Sequence, residues 1–218
     1  MTKLEKLISI GSEPLGSVLP DCTPEIATAF GQLGEEWGEL LKIKNGFYAF
    51  ETALHVFPSL RICPPISVEQ WNDARSWRTE YRGLADGALF FGEDAFANQF
   101  CIRKGSICFF EAETGEYREL AKSFENWAAT ILDDYEFQTG YPLLHEWQLE
   151  NRQLPAGQRL IAKFPFVLGG EYALDNLVAM DAVQIMRARG NIAWQLQDVP
   201  EGEEVEICLD EYPIKQSE

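Results

Sequence analysis

The chain is short of bases, histidines and long apolar runs, and each shortage removes a class of function. Only 18 Lys and Arg stand against 35 Asp and Glu, a formal charge of −17. Nucleic acids and anionic membranes would repel such a surface, so neither is expected as a partner. A basic protein suits it, although an acid excess also simply keeps a protein soluble. No stretch approaches the ~20 apolar residues of a membrane-spanning helix. The N-terminal MTKLEKLISIGSEP carries lysines, but its apolar part is only LISI and no small-residue cleavage site follows. No signal peptide is expected, and a cytoplasmic location is. Cys22, Cys63, Cys101, Cys108 and Cys208 are scattered without CxxC or Cys/His spacing and read as free thiols in a reducing compartment. His55 and His145 are the only histidines, and spacing assigns neither a catalytic partner. Neither GxGxxG nor a P-loop pattern is present, so Gly169-Gly170 reads as a backbone turn. With no recognisable catalytic constellation, no enzyme, cofactor or metal is expected.

What the chain does contain is organised around LGEEWGELLKIKNGFYAFETALHVFP, residues 33–58. Phe30, Leu33, Trp37, Leu40 and Leu41 share one stripe of a helical period, and Glu35, Glu36, Glu39 and Lys42 face the other way. Asn45-Gly46 supplies a positive-φ stop. Phe47, Tyr48, Phe50, Leu54, Val56 and Phe57 then read as an apolar ribbon of strand character.

On either side the pattern alternates. A short helix over 2–10 precedes a Pro- and Gly-rich linker, with Thr23-Pro24 set to start the next helix. Pro24–Lys44 is weakened by Gly31, Gly34 and Gly38 and reads as one helix or two. After the break at 61–65, SVEQWNDARSWRTEYRGL holds no single apolar stripe, which implies two helical pieces with Asp73 capping the second. Strands follow over 89–91, 99–102, 107–110 and 117–120, the last three as a glycine-turned meander. Ser123 caps an amphipathic helix bearing Phe124, Trp127, Ile131 and Tyr135, and another helix is expected over 141–150. Asp181 caps a later helix with Arg189 on its buried stripe, and Val205–Leu209 reads as a final strand. The six tryptophans sit mostly on apolar stripes. The order predicts an α+β fold, with helices against one twisted, mainly antiparallel sheet. The N-terminal helix and linker would occupy 1–23 and one domain 24–218.

These stretches resemble the SUKH superfamily, which groups the yeast cell-wall-synthesis regulator domain (Smi/Knr) with bacterial toxin-immunity proteins. The resemblance rests on GEEWGELLKIKNGFYAFETALHVFP (34–58), WRTEYRGLADGALFFGEDAFANQFCI (77–102) and ETGEYRELAKSFENWAATIL (113–132). PFVLGGEYALDNL (165–177) and IAWQLQDVPEG (192–202) look like the C-terminal half of one bacterial subgroup. It implies a non-catalytic α+β domain that blocks a toxin by direct binding, the toxin being a basic, nuclease-type protein. The alternative it leaves open is a regulatory scaffold like the yeast branch.

The acids expected to carry partner binding are Glu35, Glu36 and Glu39 on the helix, with Glu93 and Asp94 in FFGEDAF. The last two also read as a turn after a strand. Asp133-Asp134 reads as a solvated helix face, His145 as a surface residue, and His55 as either the solvent side of the ribbon or a satisfied core histidine.

Overall fold

The computed structural model describes residues 1–17, 25–59, 66–200, 206–209 and 212. The expected ribbon after Gly46 proves to be a hairpin, Phe47–Ala49 (β1) and Leu54–Val56 (β2). Phe50, Glu51 and Thr52 all take positive φ and reverse the chain between them. Ala88–Glu93 (β3), Gln99–Arg103 (β4), Ser106–Phe110 (β5) and Tyr117–Ala121 (β6) continue the same sheet. The strand order is β1-β2-β3-β4-β5-β6, and every neighbour is antiparallel.

Successive side chains on a strand point to opposite faces, and here both faces are covered. Phe91 packs 5.0 Å from Phe124 and 5.3 Å from Trp127. Phe90 instead packs 5.0 Å from Trp77 and 5.3 Å from Phe110. One layer is therefore Gly31–Ile43 (α3) and Phe124–Asp133 (α5), and the other is the 3-10 turn Arg78–Tyr81 with Ala182–Leu196 (α8). Double coverage explains why ALFFGE is a continuous buried run rather than an alternating one. Each fully buried Phe contributes about 1.5–3 kcal/mol.

The remaining helices are Lys3–Ile10 (α1), Glu25–Thr28 (α2), Val68–Trp71 (α4), Tyr135–Thr139 (α6) and Tyr141–Asn151 (α7). The helix after Pro24 is thus two pieces, although Thr23-Pro24 itself lies outside the described residues, as do 61–65, Cys22 and Cys63. Gly46 has φ +70°, and a Cβ there would stand 2.6 Å from the Pro58 nitrogen. Only glycine fits this stop.

Three expectations need correction. The second helical piece after Asn72 is only the 3-10 turn at 78–81, with Asp73 Oδ1 accepting the Arg75 N–H at 2.8 Å. Trp77 must sit between Trp71 and Phe90, and that packing overrides helix propensity. A second sheet, unmarked by the sequence pattern, pairs Gln158–Ala162 (β7) with Leu177–Asp181 (β8). No strand forms over the described part of the expected final strand, 206–209. The Gln195 amide instead takes both backbone groups of Cys208, at 2.8 and 3.1 Å, standing in for a ladder.

Carboxylates tie the helices together through their N-termini, where backbone N–H groups lack partners. Glu36 of α3 accepts the Phe124 N–H at 3.0 Å. Glu125 of α5 accepts the Lys3 and Leu4 N–H groups at 2.7 and 3.0 Å. Glu36→Ala should cost about 1 kcal/mol in urea unfolding, in the range of a lost helix cap. The same change at the more exposed Glu35 should cost under about 0.5 kcal/mol.

Candidate partner-binding cleft and its buried polar centre

Glu93 ends β3 directly opposite His55 of β2 and Gln99 of β4. Its side chain is 1% exposed. His55 Nδ1 lies 2.9 Å from Glu93 Oε1, and Arg159 Nε lies 2.9 Å from the same oxygen. Burial works against the Glu93 carboxylate, but the Arg159 charge and the His55 hydrogen bond outweigh it and hold its pKa below the usual value. Burial pushes His55 down to about 4 despite the Glu93 hydrogen bond. The imidazole is therefore neutral at pH 7, donating from Nδ1, and its Nε2 has no partner. His55 is fully buried and takes no part in the lining of the cleft beside Asp94, so this triad is a structural staple. It pins the second sheet to the first, helped by the Leu160 N–H to Ala95 carbonyl bond at 2.9 Å.

A second buried cation lies nearby. Arg189 of α8, 1% exposed, donates to the Phe96 carbonyl and sits 3.2 Å from Glu113 Oε1, while Glu113 Oε2 accepts the Val167 N–H at 2.8 Å. Asp94 closes the turn after β3: Oδ1 accepts the Phe96 and Asn98 N–H groups at 2.8 Å, and Oδ2 accepts Asn98 Nδ2 at 2.9 Å. Burial pushes its pKa up to about 7 against those hydrogen bonds.

The expectation that Glu93 and Asp94 present charge to a partner is thus corrected for exposure. They are 1% and 3% exposed because β7 brings Arg159 onto Glu93 and the 94–98 turn wraps Asp94 with bonds from Phe96 and Asn98, which local patterning does not reveal. A signal was present. An arginine inside QRLIA and another on an apolar helix stripe each demand a buried carboxylate. The turn reading of Asp94 stands. On α3, Glu35 and Glu39 are exposed, with Glu39 paired to Lys42 at 2.8 Å, and Glu36 is half-buried by its capping role. The structure therefore splits the five acids among an exposed face, a cap and the interior. His145 is partly exposed, as a surface residue, and its Nδ1 meets Glu51 at 2.8 Å. Trp37, Trp71, Trp77, Trp127 and Trp147 are buried. Cys101 and Cys108, directly opposed across β4 and β5, are free thiols.

Beside Asp94 the surface opens into a cleft of ≈ 560 Å³, bounded by the 94–98 turn, the β5–β6 turn, the α6–α7 junction and Tyr172. Sequence reading missed it, because its walls come from four separate segments. Phe96, Phe109, Leu143, Phe137 and Tyr172 make it largely apolar, and Asp94, Glu111 and Glu116 supply acid. Phe137 and Tyr172 are 72% and 66% exposed, unusual for large rings. Tyr172 is held flat on Phe166 at 4.0 Å and 3°. Burial and the Glu113 carboxylate push Glu111 above its usual pKa. Among the described residues, no group of three or more His, Cys, Asp and Glu could hold a metal ion, and no helix is long and apolar enough to cross a membrane.

The fold and this surface define an α+β domain whose ionisable interior is committed to architecture and whose accessible chemistry is an acidic, aromatic cleft. Residues 30–130 match the model of the SMI1 / KNR4 family (SUKH-1), and that match supports the resemblance to the SUKH superfamily. The match ends before β7, β8 and α8, so Glu93 and Glu113 lie inside it and their arginines outside. It also stops short of 165–177 and 192–202. The crystal structure of Atu4351 from Agrobacterium tumefaciens is similar in fold at 15% identity, with a TM-score of 0.56 over 86% of this chain and 88% of that one. A search of curated proteins found no match. The match fits a protein-binding role, either immunity or Smi/Knr-like regulation.

Proposed function

We propose that this protein is an immunity-type module that binds a basic, nuclease-type toxin in the cytoplasm and occludes its working surface without covalent chemistry. The observation that carries this reading is the cleft, where exposed rings and acids meet on a chain of net charge −17. Interface energy concentrates in such pockets, where an anchor is desolvated and polar groups set its orientation. Glu35 and Glu39 would serve the approach rather than the grip. Complementary fields raise association rates by roughly 10–10³ and fade with salt. The runner-up is a regulatory scaffold that recruits a cellular protein, favoured by the yeast-type name of the matching family model. Gene order separates the two, since immunity requires an adjacent toxin with a variable C-terminal domain.

The test is co-expression with the adjacent gene product, scoring growth rescue, co-purification and binding kinetics. Glu111→Lys with Glu116→Lys should weaken the complex on the order of 100-fold. Glu35→Lys with Glu39→Lys should slow association several-fold, an effect erased at high salt. Rescue and affinity untouched by the cleft pair would remove the cleft from the mechanism, and failure of the neighbour to bind at all would remove the immunity reading.

A further inference from the structure

The cleft has a mismatch that points to its occupant. Gln138 lines it and is 8% exposed, yet its Oε1 is buried without a hydrogen-bond partner. Buried acceptors are rarely left empty, because each costs about 1–3 kcal/mol. The other polar side chains there lean the same way. Glu111 and Glu116 are exposed acceptors, Asp94 is already committed to Phe96 and Asn98, and the cation on the wall, Arg118, lies over the Phe109 ring at 5.3 Å. The two exposed rings, Phe137 and Tyr172, add flat, electron-rich surface at the same opening. A site with surplus acceptors and aromatic faces needs a planar, cationic, multiply donating group. An ammonium supplies the charge without the plane, and a neutral amide the plane without the charge.

We infer that the cleft receives an arginine side chain of the partner protein, its guanidinium donating to Gln138 Oε1, Glu111 and Glu116 while stacking on Phe137 or Tyr172. This deepens the proposed function and rests on it only for the identity of the protein that carries the arginine. The aromatic walls shield the guanidinium from water, and the −17 charge makes the approach of a basic segment favourable.

The probes are three short blocked peptides, Gly-Arg-Gly and its lysine and citrulline counterparts, titrated into isotope-labelled full-length protein and followed by amide shifts. The arginine peptide should shift resonances confined to 94–98, 111–118, 136–143 and 172. It should bind about fivefold tighter than lysine and at least about tenfold tighter than citrulline, the neutral isostere. Gln138→Met keeps the volume and removes the unpaired acceptor. It should weaken arginine binding about tenfold while leaving the melting temperature unchanged or higher, whereas a purely structural glutamine would lower it. Glu111→Gln with Glu116→Gln, both at exposed positions, should weaken binding without touching the fold. Equal binding of citrulline, shifts centred on Glu35 and Glu39, or indifference to Gln138→Met would overturn the inference. Peptide binding without capture of the adjacent gene product would sink the immunity reading and leave the arginine site standing. Capture of that product without any arginine-peptide binding would do the reverse.

Discussion

Glu93→Ala is expected to remove about 3–5 kcal/mol of folding stability, the cost of leaving a buried cation without its anion. The loss would be a large part of the 5–15 kcal/mol typical of a folded domain, and urea unfolding would show it as a lower midpoint. The reason is the single oxygen Oε1, which meets both His55 Nδ1 and Arg159 Nε at 2.9 Å in a site 1% exposed. Removing it strands the Arg159 guanidinium against the Tyr48 ring, 5.6 Å away, with no water to solvate it. The paired change Glu93→Leu with Arg159→Met should recover most of the loss, because apolar groups of similar volume commonly replace a buried pair at little cost. An exposed acid gives the contrast: Glu93 treated as a surface residue would lose no more than Glu35→Ala, and that result would contradict the buried triad.

The second large effect is in pH. The folded pKa of His55 is lowered by burial to about 4, against an ordinary 6.5 for the exposed imidazole. An unfolded chain therefore takes up the proton first as pH falls from 6.5, and the native state resists until about 4. Stability contributed by neutral, buried His55 is present above 6.5 and is lost through that window, by about 3 kcal/mol in total. Glu93, whose folded pKa lies below its usual 4.5, adds a further loss in the same direction at still lower pH. Asp94 acts oppositely. Its folded value of about 7 exceeds the ordinary 3.8, so its contribution is full below 3.8 and disappears as pH rises through 7. Net stability mixes these signs, so the informative measurement is the difference between wild type and His55→Gln. That difference should shrink as pH falls from 6.5 to 4, and a difference constant with pH would show that His55 does not stay neutral inside.

The same two residues mark where reading the sequence succeeds and where it stops. The meander from Ala88 to Ala121 was legible because alternating or continuous apolar runs and glycine turns are local properties. So were the caps at Ser123 and Asp181, whose oxygens accept the Asn126 and Gln184 N–H groups. Glu93-Asp94 was legible as a turn but not as a core, because the Arg159 that covers Glu93 arrives from 66 positions on. The β7–β8 sheet escaped because QRLIA and LVAMD are short apolar runs separated by an irregular stretch, without the close turn that marks a hairpin.

By itself, the sequence determined the order and kind of most elements, the acid excess, and the resemblance to a family of protein-binding domains, since all of these depend on neighbours along the chain. Only the tertiary structure decided which acids are buried or exposed, and it alone assembled the cleft from four distant segments. Burial and a pocket's walls depend on what packs across a residue, and that neighbour is set by the fold rather than by sequence proximity.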